Sequence, residues 1–278
     1  DGIIINHAGS PETEDALATS DIPLAVIGIR NPKLVVRKKA IALIRNDNIE
    51  TGRIAARHFL SLGNFNSYGY IPAAQSADEW SVSREAGFRE TLEKHGITAV
   101  IGQGSSRTPQ PGQILGCTYA AAKSADADAY LFVGTGVFHA IGVSLATGKP
   151  TFALDPYGDG GVQEVSADRL LRKRFVQIEK AKTAETFGIL LSGKSGQCRK
   201  ELARRLAALT DKASIILIRE VSEMQLRNLG FDAYVNTACP RLALDDQSRF
   251  PMPVLSPAEF EIVLGLRSWD DYAIDEIA

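Results

Sequence analysis

The stretch Ala129–Asp155, AYLFVGTGVFHAIGVSLATGKPTFALD, decides the fold. Its apolar runs AYLFVGT and PTFALD stand on either side of a segment of helical length, the pattern of two parallel strands joined by a crossover helix. The same alternation runs outward in both directions. GIIIN, PLAVIG, AIALIR, NSYGYIP and TAVIGQ precede it, and TFGILLS, SIILIR and DAYVNT follow it. Helical segments such as Thr51–Leu62, Ser83–His95 and Arg199–Leu209 lie between them, with apolar residues recurring at three and four. Repeated strand–helix alternation predicts an α/β protein of two or three flavodoxin-like or Rossmann-like parallel-sheet sandwich domains.

Composition narrows the function. With 278 residues, 45% hydrophobic and 23% charged, the chain is long enough to bury a core without staples. The formal charge is −2, and basic and acidic residues balance on both sides of Gly96. A nucleic-acid partner, which needs a cationic surface, is not expected. No apolar run reaches membrane-spanning length and the opening DGIIIN is unlike a signal peptide, so no membrane is expected. Three widely spaced cysteines make no disulfide framework, and a cytoplasmic, reducing setting leaves their thiols free for packing, metal or redox work. Beginning at Asp1 inside a strand, the chain reads as a fragment or an engineered piece.

Three segments of the first third belong together. DGIIINHAGS with DIPLAVIG suggests a βαβ unit; RNDNIETGRIAARHFLSLGN carries Asp47, Gly52, Ala55 and His58 in the pattern D-x-x-x-x-G-x-x-A-x-x-H-L; and NSYGYIPAAQSADEWSVSREAGFRETLEKHG carries Ser81, Arg84 and Gly87 as S-x-x-R-x-x-G. Residues 1–96 thus resemble part of the sugar-sensing core of the lactose-repressor family, near its xylose-regulator branch and related to periplasmic sugar-binding proteins. The resemblance implies that Asp47 and Arg84 contact the hydroxyls of a small sugar, the arginine through its rigid fork of donors, and Trp80 could offer an apolar face to the ring. The bland alternative for Arg84 is a helix-start residue paired with Asp78 or Glu79. His58 has no second ligand at metal spacing and reads as an interior or helix-surface residue.

From about Ile97 the motifs change. PGQILGCTYAAAK, DAYLFVGTGVFHAIGVSLATGKPTFALDPY, RFVQIEKAKTAETFGILLSGKSGQCR and FDAYVNTACPRLALDD followed by PMPVLSPAEF resemble, in that order, the second and third domains of the diphthamide-synthesis family, to about Gly265. That family's members are 2-(3-amino-3-carboxypropyl)histidine synthases, noncanonical radical enzymes. They hold a 4Fe–4S cluster by one cysteine from each of three domains, and their substrates are S-adenosylmethionine and a histidine of elongation factor 2. The resemblance implies Cys117 and Cys239 as metal ligands, Ser192, Lys194, Gly196 and Gln197 as cofactor-binding residues, elongation factor 2 as partner, and a homodimer as one possible assembly. The third cysteine would come from the first domain, and residues 1–96 contain none. Read without the family, each cysteine is more often a small buried hydrophobe, although Gly116 and Pro240 would present both from loops.

Other positions carry two readings each. GILLSGKS at 188–195 satisfies the phosphate-loop pattern formally, but Ile189, Leu190 and Leu191 read as strand where a phosphate loop must wrap. His139 either faces the cofactor pocket or is a satisfied interior histidine, and Asp155 lines the cleft or caps a turn. Arg241, Asp245 and Asp246 either make loop salt bridges or touch cluster or substrate. Cys198 reads as structural or adventitious.

The two resemblances together imply a chimera joined near His95–Ile97, with domains at 1–96, 97–178 and 179–278. Three functions stand side by side: a 3-amino-3-carboxypropyl transferase, a sugar-binding regulator-type sensor fragment, and an inactive α/β composite.

Overall fold

The computed structural model describes residues 48–63, 65–72, 81–158 and 161–277 in full, and the backbone alone at 3–6, 24–27, 41–44 and 79–80. Among the described residues there are three sheets. The first is parallel, β1 (Ile3–Asn6), β2 (Leu24–Ile27) and β3 (Ile41–Ile44) in that spatial order, with Ile3 opposite Leu24 and Leu24 opposite Ile41. The second has the order β5 (Thr98–Val100), β4 (Ser67–Ile71), β6 (Ala129–Val133), β7 (Thr151–Leu154) and β8 (Val162–Glu164), with only β8 antiparallel. The third is fully parallel: β10 (Ala213–Ile218), β9 (Phe187–Ser192), β11 (Ala233–Asn236) and β12 (Val254–Leu255). Every apolar run read as a strand is one. β8 and β12 were not legible, because one is a polar edge strand and the other only two residues long.

Helices α1 (Asn48–Leu62), α2 (Glu79–Glu93), α3 (Ala120–Ser124) and α4 (Phe138–Thr147) cover the second sheet. The pleat of β4 and β6 sorts their residues between two cores. Tyr68, Tyr70 and Leu131 pack with Ala55, Phe59, Phe88 and Leu92 of α1 and α2. Ile71, Tyr130 and Phe132 pack with Tyr119, Ala122, Ala140 and Val143 on the other face. Around the third sheet lie α5 (Asp168–Ala181), α6 (Lys200–Ala207), α7 (Glu223–Leu229), α8 (Arg241–Leu244) and α9 (Pro257–Val263). Leu244 and Ile274, from the third sheet's part of the chain, enter the second sheet's core and weld the two units together.

The second sheet runs straight across the expected boundary at 96/97: Ser67 of β4 pairs with Thr98 of β5, and α1 and α2 pack on the same sheet. The boundary at 178/179 falls inside α5, whose Ile178 and Ala181 lie in the third sheet's core. Changes of motif along the chain therefore do not mark changes of sheet, since pairing between distant strands decides membership. Arg84, expected at a sugar, has protein partners. It is only 6% exposed, its Nε donates to Asn48 Oδ1 at 2.8 Å, and its guanidinium carbon lies 5.8 Å from the Tyr157 ring centre. It is an interior link between α2 and the start of α1. Asp47 and the Trp80 side chain lie outside the described residues. His58 is half-buried on α1, edge-on to Phe59 and Phe152.

The second and third units share a device. Asp128, just before β6, accepts hydrogen bonds from the backbone N–H of Asn66 at 3.0 Å and of Ser67 at 3.1 Å, ahead of β4. Asp232, just before β11, accepts from the N–H of Glu185 at 3.1 Å and of Thr186 at 3.0 Å, ahead of β9. Each Asp-Ala-Tyr triplet then sends its tyrosine hydroxyl to a backbone carbonyl of the preceding helical segment, Tyr130 to Ala122 and Tyr234 to Leu226. Hydrogen bonds to the ionised form hold both carboxyls below the usual range, those from the Asn66 N–H leading for Asp128 and from the Thr186 hydroxyl for Asp232. Because the folded pKa is depressed, this stability is present above the unfolded value of about 4 and is lost as pH falls through the folded one. The Asp128→Asn/Asp232→Asn protein should unfold more easily at neutral pH, with a deficit that closes on acidification. A deficit independent of pH in denaturant melts would refute this.

Candidate functional site

The carboxyl ends of β9, β10 and β11 open on one cavity of about 320 Å³. Open α/β sheets place ligands there because backbone N–H groups and loops converge beyond the strand ends. Ser192, Lys194, Gln197, Arg219, Glu220, Ala238 and Cys239 line it, with Ile218, Val221 and Leu242. Ser192 ends β9 and is buried, and its hydroxyl accepts from the Lys194 N–H at 3.1 Å. Gln197 N–H donates to the Lys194 carbonyl at 3.1 Å, folding the loop into a turn before α6. Gly196 lies in this loop, its carbonyl bonded by Arg107 of the second unit. Ile189, Leu190 and Leu191 are buried strand residues of β9, so GILLSGKS does not wrap as a phosphate loop.

Cys239 is presented by a short loop after β11. The buried Asn236 side chain closes that loop, donating through Nδ2 to the Cys239 carbonyl at 2.8 Å and accepting from the Ala238 N–H at 2.9 Å. Thr237 is pinned to the Leu190 carbonyl by its hydroxyl at 2.8 Å. Pro240 starts α8, turning the chain away from the sheet.

Cys117 sits in a tight turn, since Leu115 and Thr118 exchange backbone hydrogen bonds across Gly116–Cys117. Gly116 must be small: a Cβ there would lie 2.8 Å from the Phe138 ring and 3.5 Å from Cγ and Cδ of Arg241. Arg241, two residues after Cys239, also lies over the Phe138 ring at 5.3 Å and is paired with Asp245. The two cysteine loops thus meet at the junction of the second and third units, and both thiols are half-buried. His139 stacks on Phe132 nearby; burial holds its pKa below the ordinary value, helped by Arg241. Asp246 pairs with Arg249, and Asp155 caps a turn by accepting from the Tyr157 N–H at 3.0 Å. Cys198 is exposed, between Gln197 and Arg199. No motif in the sequence singles out Arg219, Glu220, Asn236 or Thr237. NTACP held the only local signal, a strand end followed by a polar pair and proline.

A cavity at the parallel strand ends of the third unit, bordered by a thiol and two cations, with a second thiol loop on the neighbouring unit, defines a multi-unit α/β protein with a cofactor-type cleft. The family model described as putative diphthamide synthesis protein matches residues 79–274, and the chain belongs to that family. The 2-(3-amino-3-carboxypropyl)histidine synthase of Pyrococcus horikoshii is 42% identical over 193 residues, covering 68% of this chain and 55% of that one. Subunit 1 of the synthase from Gallus gallus is 32% identical over 233 residues, covering 80% and 56%. The chain spans little more than half the length of these relatives. The crystal structure of Dph2 from Pyrococcus horikoshii superposes with a TM-score of 0.74 and 33% identity, over 92% of this chain and 74% of that one. Dph2 with its 4Fe–4S cluster gives a TM-score of 0.72 at the same identity. The family match begins inside the segment read as a sugar sensor, and the superposition extends over most of it, so neither similarity supports a chimera.

An iron–sulfur cluster calls for thiolate donors. Cys117 and Cys239 suit it in kind, and in number they fall one short of the three-cysteine set the family resemblance implies. Among the described residues no three His, Cys, Asp or Glu side chains come together as a metal set. No described helix is long and apolar enough to cross a membrane.

Proposed function

We propose that the chain acts in transferring a 3-amino-3-carboxypropyl group to a histidine, the product its relatives' name describes, with S-adenosylmethionine as donor and elongation factor 2 as acceptor, as the family resemblance implies. The observation that carries this reading is the cavity that gathers Ser192, Lys194, Gln197 and Cys239 into one lining. Its charges suit an amino-acid end group: Lys194 and Arg219 attract a carboxylate, Glu220 an ammonium, and Ile218, Val221 and Leu242 offer apolar walls. Cys117 and Cys239 are the thiols proposed for an iron–sulfur group, which when bound would supply the electron for cleaving a sulfonium carbon–sulfur bond. Gly196 belongs to the same site through its loop, held by Arg107.

Anaerobic reconstitution of the full chain with iron and sulfide tests the reading. The expected result is bound iron with visible charge-transfer absorption that Cys239→Ser and Cys117→Ser each diminish. Lys194→Ala should weaken S-adenosylmethionine binding about tenfold by calorimetry, the loss of one charge-assisted hydrogen bond of about 1.5 kcal/mol. Colourless protein, or colour indifferent to both cysteines, overturns it.

A further inference from the structure

The two cysteine loops belong to different units, and one short segment ties them together. Arg199, at the start of α6, donates through Nε to the Thr237 carbonyl at 2.9 Å and through Nη2 to the Ala238 carbonyl at 3.1 Å. Those are the two residues before Cys239. The same guanidinium grips Asp275 with both arms, at 2.7 Å and 2.6 Å, and reaches the Glu276 carbonyl at 3.2 Å. One residue further, the Ile277 N–H donates to the Cys117 carbonyl at 2.7 Å. Glu276 accepts from the Tyr119 N–H at 3.0 Å and pairs with Lys123, both on the stretch that follows Cys117. Ile274 and Ile277 are buried, Ile274 in the second unit's core.

A continuous path of hydrogen bonds therefore runs from the residue before Cys239, through Arg199 and Asp275, along Glu276 and Ile277, to the carbonyl of Cys117. Arg199 is 12% exposed and Asp275 8%, so the fork operates largely away from solvent screening. A planar guanidinium bound at both ends fixes angle as well as distance, which an ammonium does not. A hydrophobic contact would hold the units together with less desolvation cost, so what this pair adds is a fixed geometry.

We infer that Arg199 and Asp275 are positioning residues: through the segment Ala273–Ile277 they set the spacing between the Cys117 and Cys239 loops. This deepens the proposed function, on which it rests for the use made of that spacing, yet the spacing is measurable without any cluster.

The test uses the full, metal-free chain carrying Cys198→Ser, with nitroxide labels on Cys117 and Cys239 and their separation read by double electron–electron resonance. The parent should give one narrow distance peak. Asp275→Ala should lose it to a broad distribution, and Asp275→Asn, which keeps shape and one acceptor, should fall between. Arg205→Ala, which breaks an exposed-side pair with Glu261 in the same unit, should leave the peak unchanged. Far-ultraviolet circular dichroism matching the parent keeps loss of fold out of the reading, and Asp275→Asn serves should Asp275→Ala not fold. Unaltered peaks in the Asp275 variants overturn the inference, as does equal broadening in Arg205→Ala. Broadening in a chain that takes up no iron sustains the positioning role while defeating the cluster assignment. Iron uptake with unaltered peaks does the reverse.

Discussion

Arg174→Met is expected to cost about 3–5 kcal/mol of stability, the penalty for leaving a buried charge without its partner. Arg174 is 1% exposed and Glu259 0%. The guanidinium meets Glu259 through Nε at 2.8 Å and Nη2 at 2.6 Å, and donates to the carbonyls of Ala243 in α8 and Val254 in β12. It thereby joins α5 to the turn that follows Cys239. Methionine fills much of the volume but supplies no donor, so the Glu259 carboxylate loses its charge partner, keeping only the Ser256 N–H and the Tyr272 hydroxyl, and two carbonyls lose the arginine donors at once. Glu259 has a second duty, accepting from the Ser256 N–H at 2.7 Å in the capping box of α9. Glutamine can retain that bond without charge. Arg174→Met/Glu259→Gln should therefore recover a substantial part of the loss in equilibrium urea unfolding. A double variant no more stable than Arg174→Met would show that the carbonyl contacts, and not the stranded carboxylate, dominate.

The second large effect lies where α1 crosses α2. An added Cβ at Gly52 would stand 2.0 Å from the Arg84 carbonyl oxygen, and one at Gly87 2.1 Å from that of Ile49. Both obstacles are backbone, so the helices must separate to admit a methyl group. Helix propensity alone would favour Gly52→Ala by about 1 kcal/mol. Overpacking should outweigh it and leave a net loss of about 1–3 kcal/mol in either single variant. A rise in the unfolding midpoint for Gly52→Ala would show that the crossing yields cheaply. Gly52 and Gly87 were read as parts of a sugar-sensor pattern, and their contacts supply a packing reason for both. The two glycines of such a pattern suit any pair of closely crossing helices, so their match needs no ligand to explain it.

Local chemistry by itself determined the apolar strands, though not the polar β8 or the two-residue β12, since runs such as FGILLS and AYLFV are buried along their whole length and need continuous apolar sequence. It suggested loops for the cysteines through Gly116 and Pro240, whereas Ser192, Lys194, Gly196 and Gln197 came from the family resemblance and not from local chemistry. Only the tertiary structure decided which strands share a sheet, so the change of motif near Gly96 proved to lie within one sheet. It also decided that Arg84 faces Asn48, that Arg174 finds Glu259, and that Arg199 finds Asp275. The reason is separation: an arginine on a helix looks alike in sequence whether its partner is solvent, a sugar or a carboxylate dozens of residues away. Periodicity reports the side a residue faces, whereas the partner waiting there is set by how the sheets come together.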